Sequence, residues 1–133
     1  MALRFVLFAC AILVATPGSA GAFSISFDWS GLKLCNTGRP NRVGSPAFRV
    51  TGLPPGTKSV VFKLVDLDVP RYNHGGGTVT MTRSGTVPPG AFRYQSPCPP
   101  GGRHTYEWRA TAKAGPNGRG ATLGTTSARR RYP

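Results

Sequence analysis

The sequence predicts an all-β protein, a single-domain β-sandwich of about six to eight mostly antiparallel strands with little or no helix in the mature chain. Three observations carry this. Apolar residues recur at every second position in several short runs, as they do along half-buried strands. No window places them at i, i+3, i+4 and i+7. Glycine (18) and proline (13) are spread through all 133 residues and punctuate the runs.

Taken in order, Ser24 to Trp29 alternates cleanly, and Phe48 and Val50 share a face of the next short run. Lys58 to Asp68 is the longest candidate and is apolar on both faces, as a central strand should be. Val79 and Met81 face one way, against Thr78, Thr80 and Thr82. His104, Tyr106, Trp108, Ala110 and Ala112 form one face of a further strand, with Thr105, Glu107, Arg109, Thr111 and Lys113 opposite. A last strand runs from about Ala121 to Arg131. Turn signals separate these runs at Leu53–Gly56, Val87–Gly90, Pro97–Gly102 and Gly115–Gly118. Many short strands with such punctuation fit a sandwich.

Residues 1–22 read as a secretory signal peptide. Arg4 precedes an apolar run from Phe5 to Ala15, and Ala20-Gly21-Ala22 supplies small residues before a cut after Ala22. The apolar run is too short to span a bilayer. Cys10 sits inside it, which speaks against a lipoprotein signal. The expected mature domain is residues 23–133, exported to a periplasm or secreted. Its charge is +12, from 16 basic and 4 acidic residues once Arg4 leaves. Such a charge favours anionic partners, including an anionic membrane or envelope surface, while export argues against nucleic acid. Cys35 and Cys98 remain as an even pair, consistent with one disulfide; two buried free thiols are the alternative.

The chemistry concentrates in few places. Asp66 and Asp68 lie on the core face of their strand, with Val60, Phe62 and Leu64, at its C-terminal end. His104 and Tyr106 share the core face at the N-terminal end of theirs. Antiparallel pairing would bring all four to one end of the sandwich. His74 follows closely and can fold back over the same opening, with Gly75, Gly76 and Gly77 free to take positive φ or allow close approach. Pro97-Cys98-Pro99-Pro100-Gly101-Gly102 is stiff, and its glycine amides can wall an anion site. Each residue also has a plainer reading: the acids as turn caps, His104 bonded to a carbonyl, the proline segment as a rigid turn. Arg129-Arg130-Arg131 reads as a phosphate patch or as an edge-strand guard against aggregation.

The order Asp66-x-Asp68-x-Pro70, His74, Pro97-Cys98-Pro99-Pro100-Gly101 and His104-x-Tyr106-x-Trp108 resembles the phosphatidylethanolamine-binding proteins (PEBPs). It is most similar to their bacterial Raf-kinase-inhibitor-like YbhB/YbcL branch. Cys35, Ser45-Pro46 and Pro54 to Ser59 resemble that branch's earlier blocks. The resemblance is firmest from Ser45 to Lys113. It implies a sandwich with an anion pocket at one end, lined by Asp66, Asp68, His74, Pro99, Pro100, His104 and Tyr106, which accepts phosphate, acetate or a phospholipid headgroup. The implied role is non-enzymatic binding, the imidazoles and Tyr106 donating to the anion while the carboxylates hold imidazole N–H groups. No catalytic residue, cofactor or metal is implied, although Asp66, Asp68, His74 and His104 suit a metal by ligand type. The sequence departs from the family in Leu67, where a proline is usual, in the glycines after His74, in the short span from His74 to Cys98, and in the little that follows the last strand. Two other functions stay open: a basic binder of envelope polyanions or nucleic acid, and an Asp/His-dependent hydrolase. No G-x-S-x-G elbow supports the latter.

Overall fold

The computed structural model describes Ile12 and residues 21–133. The expected signal peptide therefore lies outside the described residues, apart from Ile12, Gly21 and Ala22. Nine strands follow in order: β1 (Ser24–Ser26), β2 (Arg42–Gly44), β3 (Phe48–Thr51), β4 (Ser59–Asp66), β5 (Gly76–Thr80), β6 (Gly85–Val87), β7 (Arg93–Gln95), β8 (His104–Lys113) and β9 (Thr122–Tyr132). One 3-10 turn, Pro116–Gly118, precedes β9, and it is the one helical element among the described residues. The strand count exceeds the six to eight expected because β2, β6 and β7 are three residues each. β1 is as short but begins an alternating run of six residues, whereas β2, β6 and β7 are defined by their partners.

All pairings are antiparallel. Sheet order is β5-β4-β8-β9 in the large sheet, β1-β3-β6 in the second, and β2-β7 in a two-stranded ribbon. β4 is central, as its apolar run predicts. The period of two decides what each face does. Val60, Phe62 and Leu64 of β4 and Tyr106, Trp108 and Ala110 of β8 point into the core, where Ile25, Phe48, Val50 and Val87 of the second sheet meet them. Phe48 stacks on Phe62 at 4.4 Å between centroids and meets Trp108 edge-on at 5.2 Å. Burying such rings dominates core energetics, at about 1.5–3 kcal/mol for each fully buried large apolar side chain. The Trp108 indole N–H finds no hydrogen-bond partner there.

The N-terminal segment closes one side. Trp29 Nε1 donates to the Arg131 carbonyl at 3.0 Å, and Arg130 Nε donates to the Phe27 carbonyl. A disulfide joins Cys35 to Cys98 across 63 positions of sequence. It ties the segment after Trp29 to the proline-rich loop before β8. Tyr132 completes the tie, its hydroxyl accepting from Cys35 N–H (2.7 Å) and donating to the Lys33 carbonyl (3.1 Å).

Candidate anion pocket at one end of the sandwich

Asp66 is the last residue of β4 and pairs in register with Tyr106 of β8. Antiparallel pairing thus puts the end of one strand beside the start of the other. Asp66 is buried at 4 % exposure. Its charge is met by three donors. Oδ1 accepts the backbone N–H groups of Asp68 (2.9 Å) and Val69 (3.2 Å), and Oδ2 accepts Nδ1–H of His104 at 2.6 Å. The turn-cap reading and the histidine-orienting reading are both correct for this one carboxylate. Charge-assisted bonds of this kind are about twice as strong as neutral ones. With Nδ1 committed to Asp66, Nε2 is the edge of His104 left for a ligand.

Asp68 behaves differently from expectation. β4 ends at Asp66, so the alternation stops before Asp68, which is exposed. Its Oδ2 accepts the Thr105 N–H at 2.7 Å. It braces the β4–β8 end from outside and does not line the pocket.

His74 comes over the opening as expected, but no carboxylate holds it. Its Nδ1–H donates to the Gln95 carbonyl of β7 at 2.8 Å. The ring is buried, and burial lowers its pKa below the ordinary 6.5, against smaller opposing effects of the Gln95 carbonyl and the Asp66 charge. A neutral ring whose proton sits on Nδ1 presents a lone pair at Nε2. His74 is therefore an acceptor toward the pocket, where a donor to the anion was expected.

Tyr106 is buried, and its pKa is raised, first by desolvation and then by the Asp66 charge. Its ring stands edge-on to His74 (5.6 Å) and lies nearly parallel to His104 (6.2 Å). These groups line a pocket of about 210 Å³ together with Pro99 and Pro100. Six of the seven residues expected at the site thus share one hollow. Sequence reasoning missed Val69, Tyr72, Gly38 and Pro40, which also line it. Tyr72 was legible in principle, being an aromatic two positions before His74; its ring lies 4.5 Å from the imidazole. Gly38 and Pro40 carry no local signal, since the Cys35–Cys98 bond brings their segment in. The glycine amides after the prolines are not a wall: Gly101 N–H reaches toward the Asn36 carbonyl at 3.4 Å instead.

The three glycines after His74 now have causes. Gly75 takes φ +72°, a conformation that L side chains rarely adopt. A Cβ on Gly76 would stand 1.9 Å from the Phe62 carbonyl oxygen, and one on Gly77 would stand 2.4 Å from the Phe92 side chain. Asn73 Oδ1 accepts the Gly75 N–H at 2.9 Å, closing the turn that delivers His74.

Asp66, Asp68 and His104 each bring one ligand-type atom within 4.8 Å of the others. Both Asp66 oxygens and Asp68 Oδ2 already accept hydrogen bonds there, so the arrangement is accounted for by hydrogen bonding alone. A larger hollow of about 660 Å³, between Trp29, Asn41, Tyr94 and Ser96, shares no residue with the pocket and contains no histidine.

No protein-family model and no curated protein matches the sequence. Solved structures do match. E. coli YbcL, described as a new member of the mammalian PEBP family, superposes with a TM-score of 0.59 at 17% identity over 83% of this chain and 97% of that one. A putative PEBP homolog from Chlamydia trachomatis, CT736, gives 0.55 at 18% identity over 84% and 97%. The chain has the PEBP fold. This PEBP-like protein keeps that fold at low identity, so its pocket must be judged from its own atoms.

Proposed function

We propose that this PEBP-like protein is a non-enzymatic binding protein whose end pocket takes a small zwitterionic phosphate, of which a phosphoethanolamine headgroup is the model. The observation that carries the reading is the unequal pair of imidazoles. His104 stands on a buried carboxylate, and its Nε2, when protonated, donates to a phosphate oxygen. The Asp66–imidazolium pair is then neutral overall, which lowers the repulsion between Asp66 and the anion. His74 is held neutral and offers an acceptor, which suits a ligand ammonium, and the aromatic rings of Tyr72 and Tyr106 line the pocket beside it. The pocket's small volume suits a headgroup and not an acyl chain. The reading includes export, to a periplasm or outside the cell, supported by the basic, apolar and small-residue pattern of residues 1–22 and by the disulfide.

Titration calorimetry of the full chain tests this with glycerophosphoethanolamine and, separately, inorganic phosphate. We expect binding of the former, weaker binding of the latter, and loss of both in His104→Ala and Asp66→Asn. Absence of binding by either probe at millimolar concentration would overturn the reading. Hydrolysis of a phosphoester by the wild type, lost in the same variants, would replace it with the hydrolase.

A further inference from the structure

The three consecutive arginines before Tyr132 do not form one patch. Period two sends Arg130 to the Phe27 side and leaves Arg129 and Arg131 on the opposite face of the large sheet. That outer face is cationic well beyond them. Lys63 of β4 pairs in register with Arg109 of β8, Glu107 with Arg129 of β9, and Thr105 with Arg131.

Glu107 organises the centre. It is 4 % exposed and splits its carboxylate between two guanidinium groups, Oε1 to Arg109 Nε and Oε2 to Arg129 Nε, both at 2.6 Å. Because each arginine is held through Nε, its terminal NH₂ groups remain for a partner. On one side of Arg109 lies a hollow of about 260 Å³ lined by Lys63, Arg71, Asn73 and Arg109, with no acidic residue. On its other side lies a hollow of about 350 Å³, bordered by Glu107 and Arg109 and carrying the hydroxyls of Thr111, Thr125 and Ser127. Lys63 and Arg71 are exposed and make no side-chain hydrogen bond among the described residues.

We propose that this outer face is a second anion site, separate from the end pocket, which takes the sulfate or phosphate esters of a linear anionic glycan. Three cations around one acid-free hollow suit a tetrahedral oxyanion. The row Lys63, Arg109, Arg129 steps across three strands spaced about 4.8 Å apart, so a single ion satisfies one end of it and a chain of anions satisfies all of it. Single-stranded nucleic acid is bound on rows of aromatics that stack the bases; this face has one tyrosine, Tyr72, at its edge. In the place of aromatics stand Thr111, Thr125 and Ser127, whose hydroxyls match sugar hydroxyls. The Cys35–Cys98 disulfide favours an oxidising compartment, where such glycans are met.

The test measures binding of a size-defined heparin octasaccharide over a salt series. The proposal expects Lys63→Ser/Arg71→Ser to bind at least about tenfold more weakly at low salt, with a log Kd against log salt slope lower by about two. Arg42→Ser/Arg93→Ser removes the same charge from the β2–β7 ribbon and is expected to change the affinity by less than about threefold, the expectation for screened distant charges. His104→Ala is expected to bind the octasaccharide like the wild type, which keeps this result separate from the fate of the end pocket. An equal loss in the β2–β7 control would reduce the effect to net charge and overturn the site. A loss in His104→Ala would place the glycan in the end pocket and overturn it likewise. A single-stranded oligonucleotide of equal charge that binds as tightly, and loses as much in Lys63→Ser/Arg71→Ser, would overturn the assignment to glycan.

Discussion

At the scale of single residues, the pocket is a device for giving two histidines different jobs. Asp66 fixes one by charge and Gln95 fixes the other by a neutral carbonyl. Asp66→Asn keeps the shape and removes the charge, so it isolates the electrostatic part. The substituted amide can still accept from the Asp68 and Val69 N–H groups, but it no longer stabilises an imidazolium. We expect stability to fall by about 1–3 kcal/mol in chemical denaturation, the cost of losing a buried charge-assisted bond. His74 gives a pH signature. Its folded pKa lies below the ordinary 6.5, so below that pH the unfolded chain takes a proton that the folded chain refuses. The His74 contribution is complete above about pH 6.5 and declines as pH falls toward the lowered folded value. Denaturation midpoints of wild type and His74→Gln across pH 5 to 8 check this: the wild type should lose stability on acidification through that window more steeply than the variant.

At the scale of elements, the turn from β4 to β5 does the most work. It must end a core strand, cap it with Asp66, carry Tyr72 and His74 over the opening, and return against β4 without a gap. The last requirement explains the glycines. Gly76→Ala has no room beside the Phe62 carbonyl, so we expect a loss above about 3 kcal/mol, of the kind seen for backbone overpacking. Gly75→Ala meets no atom and is strained only by its φ, so its cost should be about 1–2 kcal/mol. Thermal melts of the two variants rank them, and equal melting temperatures would contradict the packing argument. The proline-rich loop is the other critical element. The chain-entropy model gives the Cys35–Cys98 bond about 4 kcal/mol for a loop of this length. The paired variant Cys35→Ser/Cys98→Ser should therefore melt markedly lower. It should also bind headgroup probes less well, because Gly38, Pro40, Pro99 and Pro100 lose their common anchor.

At the scale of the whole molecule, a net charge of +13 is spread unevenly. Three of the four acidic residues serve the large sheet or its end: Asp66 and Asp68 brace the pocket, and Glu107 spaces two arginines. Burial pushes the Glu107 carboxyl up, but the hydrogen bonds and positive charges of Arg109 and Arg129 together outweigh it and leave its pKa lowered. That contribution is full above the ordinary 4.5 and is lost as pH falls through the lowered value. Much of this was legible in the sequence. The alternating runs indicated the fold class, the apolar run of β4 its central place, and the period of two in β4 and β8 the core face, which placed Asp66, His104 and Tyr106 at one end. Those are consequences of backbone geometry, which repeats every two residues whatever the rest of the chain does. The pair Cys35 and Cys98, the two cysteines outside residues 1–22, indicated the disulfide that joins them. The tertiary structure alone decided where the irregular segments run. It ended β4 before Asp68, paired His74 with a carbonyl of β7, brought Gly38 and Pro40 to the pocket, and placed Arg71 beside Lys63 and Arg109. Loop paths have no period to read: long-range pairings and close contacts set them, and those exist only once the sheets have closed around the core.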